Sequence, residues 1–489
     1  MQLEILRNFS KIAGAEIRSH IGEDWFSNKT GHISISNTSC LESSRSKGGR
    51  RKYVLDEVKK WLGETPSISR TVLLPTGESY VEDSSQPRWK TVKPPGSKTL
   101  EQNYVSKIDT GLFTEDFEGT EQERLGFQLF SWAFTVLVEE DFLDTAGYPT
   151  GKPMPVERSS LGEPGNKCRI VTKSKAAFIT YGQPWAHIFR ELLSYDPALK
   201  AGLGAGYQSH EWLKRVGSTE SGKVPKYIMV GDFESSTDHI DHTAGRIAMH
   251  ALLDELNMNS HYVRGYIDLL LSPRTFEDED GDVIITNTGS LMGEPGTKIV
   301  LTFLSKVSNV YAHKRGSSEL HATAGDDQID ASDELAILKE YADASAITTM
   351  VPSYDKWGIM TVAATYCQQT ILCNEPAGTA EICIPKFRLC SSEQKQKKGD
   401  DDTNPAYGKA KTLSRETEWC EHFDILAEMV LMFLRNMGPY VEYSYELFLP
   451  REWGGLGLPN ICGIMEKAFD MAPDWHKSAI SRRESGCAL

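Results

Sequence analysis

An α+β fold is predicted. Apolar residues recur with helical spacing in runs such as 121–143, 241–256 and 416–437, while short strand-like segments are set out as hairpins around Asp280-Gly281-Asp282 and Gly325-Asp326-Asp327. At 489 residues, with 39% apolar content and ten tryptophans, the chain can bury substantial cores, and two to four lobes are expected. Nine scattered cysteines, an odd number, fit a reducing compartment better than a disulfide framework. The charged first twelve residues do not make a signal peptide, and no uncharged apolar run reaches eighteen residues, so no membrane span is expected.

In chain order, residues 1–30 have mixed helical periodicity, with Leu3, Leu6, Ile12 and Ile17 as expected buried positions. The Ser-, Asn- and Gly-rich stretch 30–49 reads as a loop, 53–62 as a short helix, and the proline-punctuated 74–107 as irregular. In 121–143, Leu125, Leu129, Trp132, Phe134, Val136 and Leu137 give a strongly apolar helix that reads as scaffold. Segment 167–175 reads as a strand. Lys167, Arg169, Lys173 and Lys175 share parity and project to one side, with Cys168 and Ile170 on the other and Cys168 facing the core. Such a cationic row suits a polyphosphate or serves as a charged edge strand. A helix over 176–193 is interrupted at Gly182-Gln183-Pro184, and the glycines of 202–206 make a tight turn that lacks the Lys-Ser/Thr ending of a phosphate-binding loop.

Further on, 226–230 reads as a strand delivering Asp232, 274–288 as a hairpin, and 289–297 as a glycine-rich turn opening a helix over 298–312 with Pro295 near its start. A helix over 333–345 starts after a Ser332 or Asp333 cap. Segment 360–372 is strand-like, 395–402 a charged loop, and 449–459 a compact turn.

The chemistry is concentrated in aspartates. Gly325 allows a tight turn, which holds Asp326 and Asp327 at a hairpin tip, and adjacent like charges call for a cation. If the strand before Asp232 neighbours that hairpin, carboxylates from distant sequence converge into an oxygen-donor site suited to two magnesium ions. The basic row then points to phosphoryl transfer, whereas two-carboxylate glycosidase chemistry has no need of it. His239 and His242 lack a third ligand, and Cys367, Cys373, Cys383 and Cys390 are spaced too widely for a structural zinc site, so they read as buried thiols. A net charge of −15 opposes RNA binding in bulk, but basic residues cluster in 45–60, 167–175 and 386–415.

In their order these segments resemble the palm motifs of viral RNA-dependent RNA polymerases, closest in wording to the narnavirus, botourmiavirus and levivirus-like group. The resemblance spans residues 155–375 and extends to 449–459, which is similar to the Leu-Pro and Gly-Gly-Leu-Gly segment near the end of narna- and ourmia-like polymerases. It implies a right-hand fold: fingers in 1–225 with a returning portion in 245–292, a palm in 226–375 built as an antiparallel sheet backed by helices, and a thumb in 376–489. It also implies that Asp232, Asp326 and Asp327 bind Mg2+, with Mn2+ as a substitute, and that Asp238 senses the ribose of the incoming nucleotide. The interval of five residues between Asp232 and Asp238 suits this group.

By the same resemblance Gly289, Ser290, Gly293, Pro295 and Thr297 contact template and ribose, and Lys167, Arg169, Lys173 and Lys175 form the basic fingers motif. Lys356 matches a general acid toward pyrophosphate. The group's ribose-selecting asparagine position is reached by Ser305, with Asn309 one turn later. The implied partners are single-stranded RNA template, RNA product and ribonucleoside triphosphates in the host cytoplasm, with a separately encoded viral or host protein left open. The rival readings are a reverse transcriptase or DNA polymerase sharing the palm, and an inactive RNA-binding scaffold.

Overall fold

The structure is a computed structural model that describes residues 2–22, 33, 35, 38–63, 70–73, 79–82, 121–163, 167–203, 208–278, 280–314, 318–374 and 379–384. Toward the C-terminus it describes 390, 409–410, 412–414, 423–437, 447–448, 456–459 and 477. Within the stretch 74–107, expected to be irregular, residues 79–82 instead form a strand paired antiparallel with 70–73; the rest of it, the loop 395–402 and most of 386–415 and 449–459 lie outside the described residues.

The helices are α1 (Gln2–Ser19), α2 (Gly49–Gly63), α3 (Glu121–Glu139), α4 (Ala176–Leu193), α5 (Pro197–Leu203) and α6 (Gln208–Ser218). They continue with α7 (His242–Glu255), α8 (His261–Leu270), α9 (Thr297–His313), α10 (Leu335–Ala344) and α11 (Phe423–Met437). The strands begin with β1 (Arg70–Leu73), β2 (Ser79–Glu82), β3 (Met154–Pro155), β4 (Glu157–Glu163), β5 (Lys167–Lys173), β6 (Tyr227–Gly231) and β7 (Arg274–Glu277). They end with β8 (Val283–Ile285), β9 (Ala322–Ala324), β10 (Asp327–Ser332), β11 (Gly358–Met360), β12 (Ala363–Tyr366), β13 (Gln369–Asn374) and β14 (Thr379–Ile384). Helices mixed with mainly antiparallel strands make this an α+β protein. Among the described residues no helix is long and apolar enough to cross a membrane.

Two compact units are present. The first comprises 1–203, 231–328 and 335–357. Its core is built by α3, α4, α7, α8 and α9 with Phe130, Phe134, Tyr181, Trp185, Tyr262 and Phe303 all buried. Helix α1 packs on α7 and α9. The expected stripe of α1 is corrected here: Leu6 and Ile17 are buried, but Leu3 and Ile12 are exposed, and Ser10, Ala13 and Gly14 take the inner face. Small side chains there let the helix backbones approach, since a Cβ on Gly14 would already touch Glu255 at 3.1 Å. The buried Lys306 ammonium joins α9 to Glu16 of α1 (2.7 Å) and to Asp196 before α5 (2.8 Å).

Two further expectations change in this unit. Helix α4 runs unbroken through Gly182-Gln183-Pro184. Packing outweighs the bond lost at proline, because Tyr181, Trp185 and Phe189 are all buried and Gly182 leaves room for the Tyr266 ring. Gly202 is the penultimate residue of α5 rather than part of a turn. A Cβ there would stand 1.7 Å from the Thr323 carbonyl oxygen, so the glycine permits α5 to lie against β9. Strand β7 pairs antiparallel with β8, as expected for the 274–288 hairpin, and parallel with β3. Strands β4 and β5 form a two-stranded antiparallel ribbon. Ile170, expected opposite the cations, is 62% exposed on this ribbon.

The second unit comprises 204–230, 329–334 and 358–489. In it β6 lies between β11 and β10, pairing antiparallel with β11 through Val230↔Gly358 and Ile228↔Met360. The expected strand over 360–372 is broken into β11, β12 and β13. Cys367 and Gln368, with φ of 50° and 66°, form the two-residue turn that joins β12 to β13, a geometry matched to strand twist. Helix α11 contributes Met429, Val430 and Phe433 to a separate core that also holds Cys390 and Leu458.

Candidate active site

The first carboxylate is delivered by β6, whose Val230 and Gly231 are buried; Asp232 follows and is half-buried. The segment after β6 is held by 351–353: Phe233 bridges Pro352, Glu234 N–H donates to Val351 O (2.8 Å), and Ser353 N–H donates to Asp232 O (2.9 Å). This pairing brings Lys356 back, and its Nζ donates to Asp232 Oδ2. That hydrogen bond, first among the causes, raises the Lys356 pKa.

The second pair comes from the turn between β9 and β10. Gly325 adopts φ of 89°, the left-handed region that glycine enters without strain, and its carbonyl accepts from Ser305 Oγ (2.8 Å) and Thr323 Oγ1 (3.1 Å). Asp326 follows, accepting from Ser236 Oγ at 3.4 Å, and Asp327 opens β10. Burial, then Asp326, then Asp232 push the Asp327 carboxyl up to about 6, against the opposing pull of Lys356 and Lys298. The three aspartates therefore share one electrostatic environment, as expected from their positions. Their donors are all hard oxygens and their mutual repulsion favours a divalent cation, so the residues fit magnesium or manganese in donor chemistry. Among the described residues, however, no three acidic, His or Cys side chains are gathered in metal-ligating geometry. The Lys356 ammonium places a positive charge at Asp232.

A cavity of about 700 Å³ opens beside these groups, lined by Asp232, Ser236, Thr237, Asp238, Asp326 and Lys356 together with Arg158, Ile170, Thr172 and Gly289. Asp238 is exposed there. The loop 289–296 is fixed to the Asp232–Asp238 segment: Ser290 N–H donates to Thr237 O and Gly289 N–H to Ile240 O, both at 2.8 Å. His242 Nε2 lies 2.8 Å from Gly289 O and donates to it, which gives this histidine a structural partner in place of a metal. Gly289, Gly293 and Gly296 all have φ near 90–100°, and Pro295 O accepts from Tyr266 Oη.

Ser290 and Thr297 are buried, their hydroxyls 2.9 Å apart, with Thr297 Oγ1 also donating to Leu291 O. Ser305 and Asn309 are buried in α9. Ser305 serves the Gly325 turn, and Asn309 Oδ1 accepts from Ser318 N–H (2.8 Å).

Of the basic row, Lys167 and Arg169 lie on β5 with side chains outside the described residues. Lys173 pairs with Glu157, while Lys175 pairs with Glu140 (2.9 Å) and Glu42 (3.7 Å). The residues that sequence reasoning missed are Ser236, Lys298, Arg158, Arg274 and Glu294. Arg158 stacks over Phe276 at 4.2 Å, and Lys298 Nζ donates to Gly202 O at 3.0 Å while easing the charge on Asp327. Ser236 lies in the five-residue interval between Asp232 and Asp238, and Glu294 within the glycine loop; the other three carry no motif signal. Of the expected buried thiols, Cys367 and Cys390 are buried, Cys373 is only half-buried, and the Cys383 side chain lies outside the described residues; Cys40, Cys367, Cys373 and Cys390 form no disulfide.

Fold and site by themselves define an α+β protein with a carboxylate-lined cavity that is also lined by Ile170 and Thr172 of β5 and by a glycine loop. The sequence matches no protein-family model and no curated protein. Among solved structures, the chain is similar to the RNA-dependent RNA polymerase of a human picobirnavirus, with 12% identity and a TM-score of 0.43 over 91% of this chain and 76% of that one. It is also similar to the insertion-loop deletion mutant of a human picobirnavirus polymerase, with 14% identity and a TM-score of 0.43 over 68% of this chain and 64% of that one. The chain thus spans just under two thirds of the deletion mutant. Similarity of this order fixes neither family nor activity, and the functional reading rests on the site.

Proposed function

We propose that the chain is an RNA-directed RNA polymerase, of the kind found in narnaviruses, botourmiaviruses and levivirus-like viruses, copying single-stranded RNA in the host cytoplasm. The observation that carries this is that Asp232, Asp326 and Asp327 act on one another electrostatically beside a cavity lined by Asp232 and Asp326, by Ile170 and Thr172 of β5, and by Gly289, Leu291 and Met292 of the glycine loop. The right-hand division of the chain, with 226–375 as palm, belongs to the same proposal.

Asp232, Asp326 and Asp327 would hold Mg2+, or Mn2+ in its place; when bound, such a cation lowers the pKa of the attacking 3'-hydroxyl and stabilises charge on the departing pyrophosphate. Lys356 holds a proton on Nζ at the cavity wall and donates it to pyrophosphate as general acid. Lys167, Arg169, Lys173 and Lys175 bind the triphosphate, whose oxygens replace the carboxylate partners of the latter two. Asp238, exposed at the cavity, accepts from the ribose hydroxyls, which favours ribonucleotides. Ser290 and Thr297 act on template and ribose through the loop they brace.

The test is incorporation of radiolabelled ribonucleotides on a short RNA primer-template with magnesium or manganese. The wild-type chain gives template-dependent product, and Asp326→Ala reduces it to background. Product that persists in Asp326→Ala, or a preference for deoxynucleotides, would overturn the assignment. RNA binding that is independent of divalent cations, with no synthesis under any of these conditions, would point instead to an inactive RNA-binding scaffold.

A further inference from the structure

Strand β5 is tied to the glycine loop at two points. Thr172 Oγ1 donates to Met292 O (3.1 Å), and Ser174 Oγ donates to Glu294 Oε1 (2.7 Å). These hydroxyls flank Lys173, and Ser174 directly precedes Lys175. The Glu294 carboxylate is itself fixed. Arg274 Nε reaches Oε1 at 3.1 Å and Nη2 reaches Oε2 at 3.0 Å, with both side chains no more than 2% exposed. Arg274 in turn donates to Ser272 O and Leu270 O at the end of α8, so the Ser174 tie is anchored in the core of the first unit.

The ribbon needs such anchorage. A two-stranded hairpin with little buried apolar surface is marginal by itself. Among the described residues β4 and β5 form no larger sheet, and Ile170 stands largely in solvent. We infer that Thr172 and Ser174 are positioning residues which latch the cationic strand to the glycine loop and thereby set affinity for the triphosphate of the incoming nucleotide, while leaving the rate of the chemical step alone. This rests on the polymerase reading for what the strand holds. The latch itself is a property of the two hydroxyls, and Glu294 is the group through which the core controls it.

The test is the double variant Thr172→Val with Ser174→Ala. It deletes both hydroxyls, nearly preserves shape, and leaves the Arg274–Glu294 pair intact. The KM for ribonucleotides rises about tenfold to thirtyfold, the factor expected when two hydrogen bonds of about fivefold each are lost, with kcat within about twofold. Thr172→Ser with wild-type Ser174, which keeps both hydroxyls, retains the wild-type KM. A lower kcat or a smaller active fraction at unchanged KM would mean a structural role alone and would overturn the inference. Hydrogen exchange of the same double variant reads the latch without activity: amides of both 167–173 and 289–294 exchange faster. Unchanged exchange in the two segments overturns the latch even where RNA synthesis is intact. A wild-type chain that makes no RNA overturns the polymerase reading instead, and the exchange result still decides the latch.

Discussion

The carboxyl group of Asp327 is where the site's dependence on pH is set. Burial, Asp326 and Asp232 raise it from an ordinary 3.8 to about 6, so the folded chain binds that proton more tightly than the unfolded chain does. Its contribution to stability is therefore present in full below about pH 3.8 and is lost as pH rises through about 6, a difference of at most about 3 kcal/mol. Without divalent cations, Asp327→Asn should unfold at a higher temperature than wild type at pH 7.5, and the gap should close by pH 4. Magnesium should narrow it at pH 7.5 by stabilising only the wild type. A gap that stays constant across this range in thermal melts would refute the electrostatic account. Asp232, Asp326 and Asp327 were legible in the sequence because glycine turns, strand ends and residue type suffice to mark them, whereas Lys356 was marked only by the resemblance. Ser236, Lys298 and Glu294 were not, since each acquires its role only from a neighbour that folding brings to it.

Elements were legible in kind and less so in their inner faces. Periodicity placed helices and hairpins, yet α1 buries Ser10, Ala13 and Gly14 where larger apolar residues were expected, and α4 passes through Pro184. Periodicity records hydrophobicity, whereas the approach of two backbones depends on how small the contact residues are. Gly202 shows the same effect. Its substitution by alanine forces a Cβ into the Thr323 carbonyl, so α5 and β9 must separate just before the Gly325 turn. Gly202→Ala should cost at least about 1–3 kcal/mol in denaturant unfolding and should lower RNA synthesis beyond the loss of folded protein. Wild-type stability in that variant would show the approach to be looser than described.

For the whole molecule, a net charge of −15 opposes RNA, and binding depends on where the cations are placed. If Lys167, Arg169, Lys173 and Lys175 each meet a phosphate, the logarithm of single-stranded RNA affinity should fall against the logarithm of salt with a slope of roughly −3, made shallower by about 0.7 in Lys173→Gln. A flat dependence would remove the basic strand from the RNA- and nucleotide-binding surface. The sequence by itself determined the α+β class, the strand that delivers Asp232 and the turn that carries Asp326 and Asp327, because local backbone preference and residue type are sufficient for these. Tertiary structure alone decided that Lys356 returns to Asp232, that Ser305 and Thr323 hold Gly325, and that Glu294 joins the basic strand to the core. Those contacts link residues through packing geometry and burial, which a linear pattern does not encode.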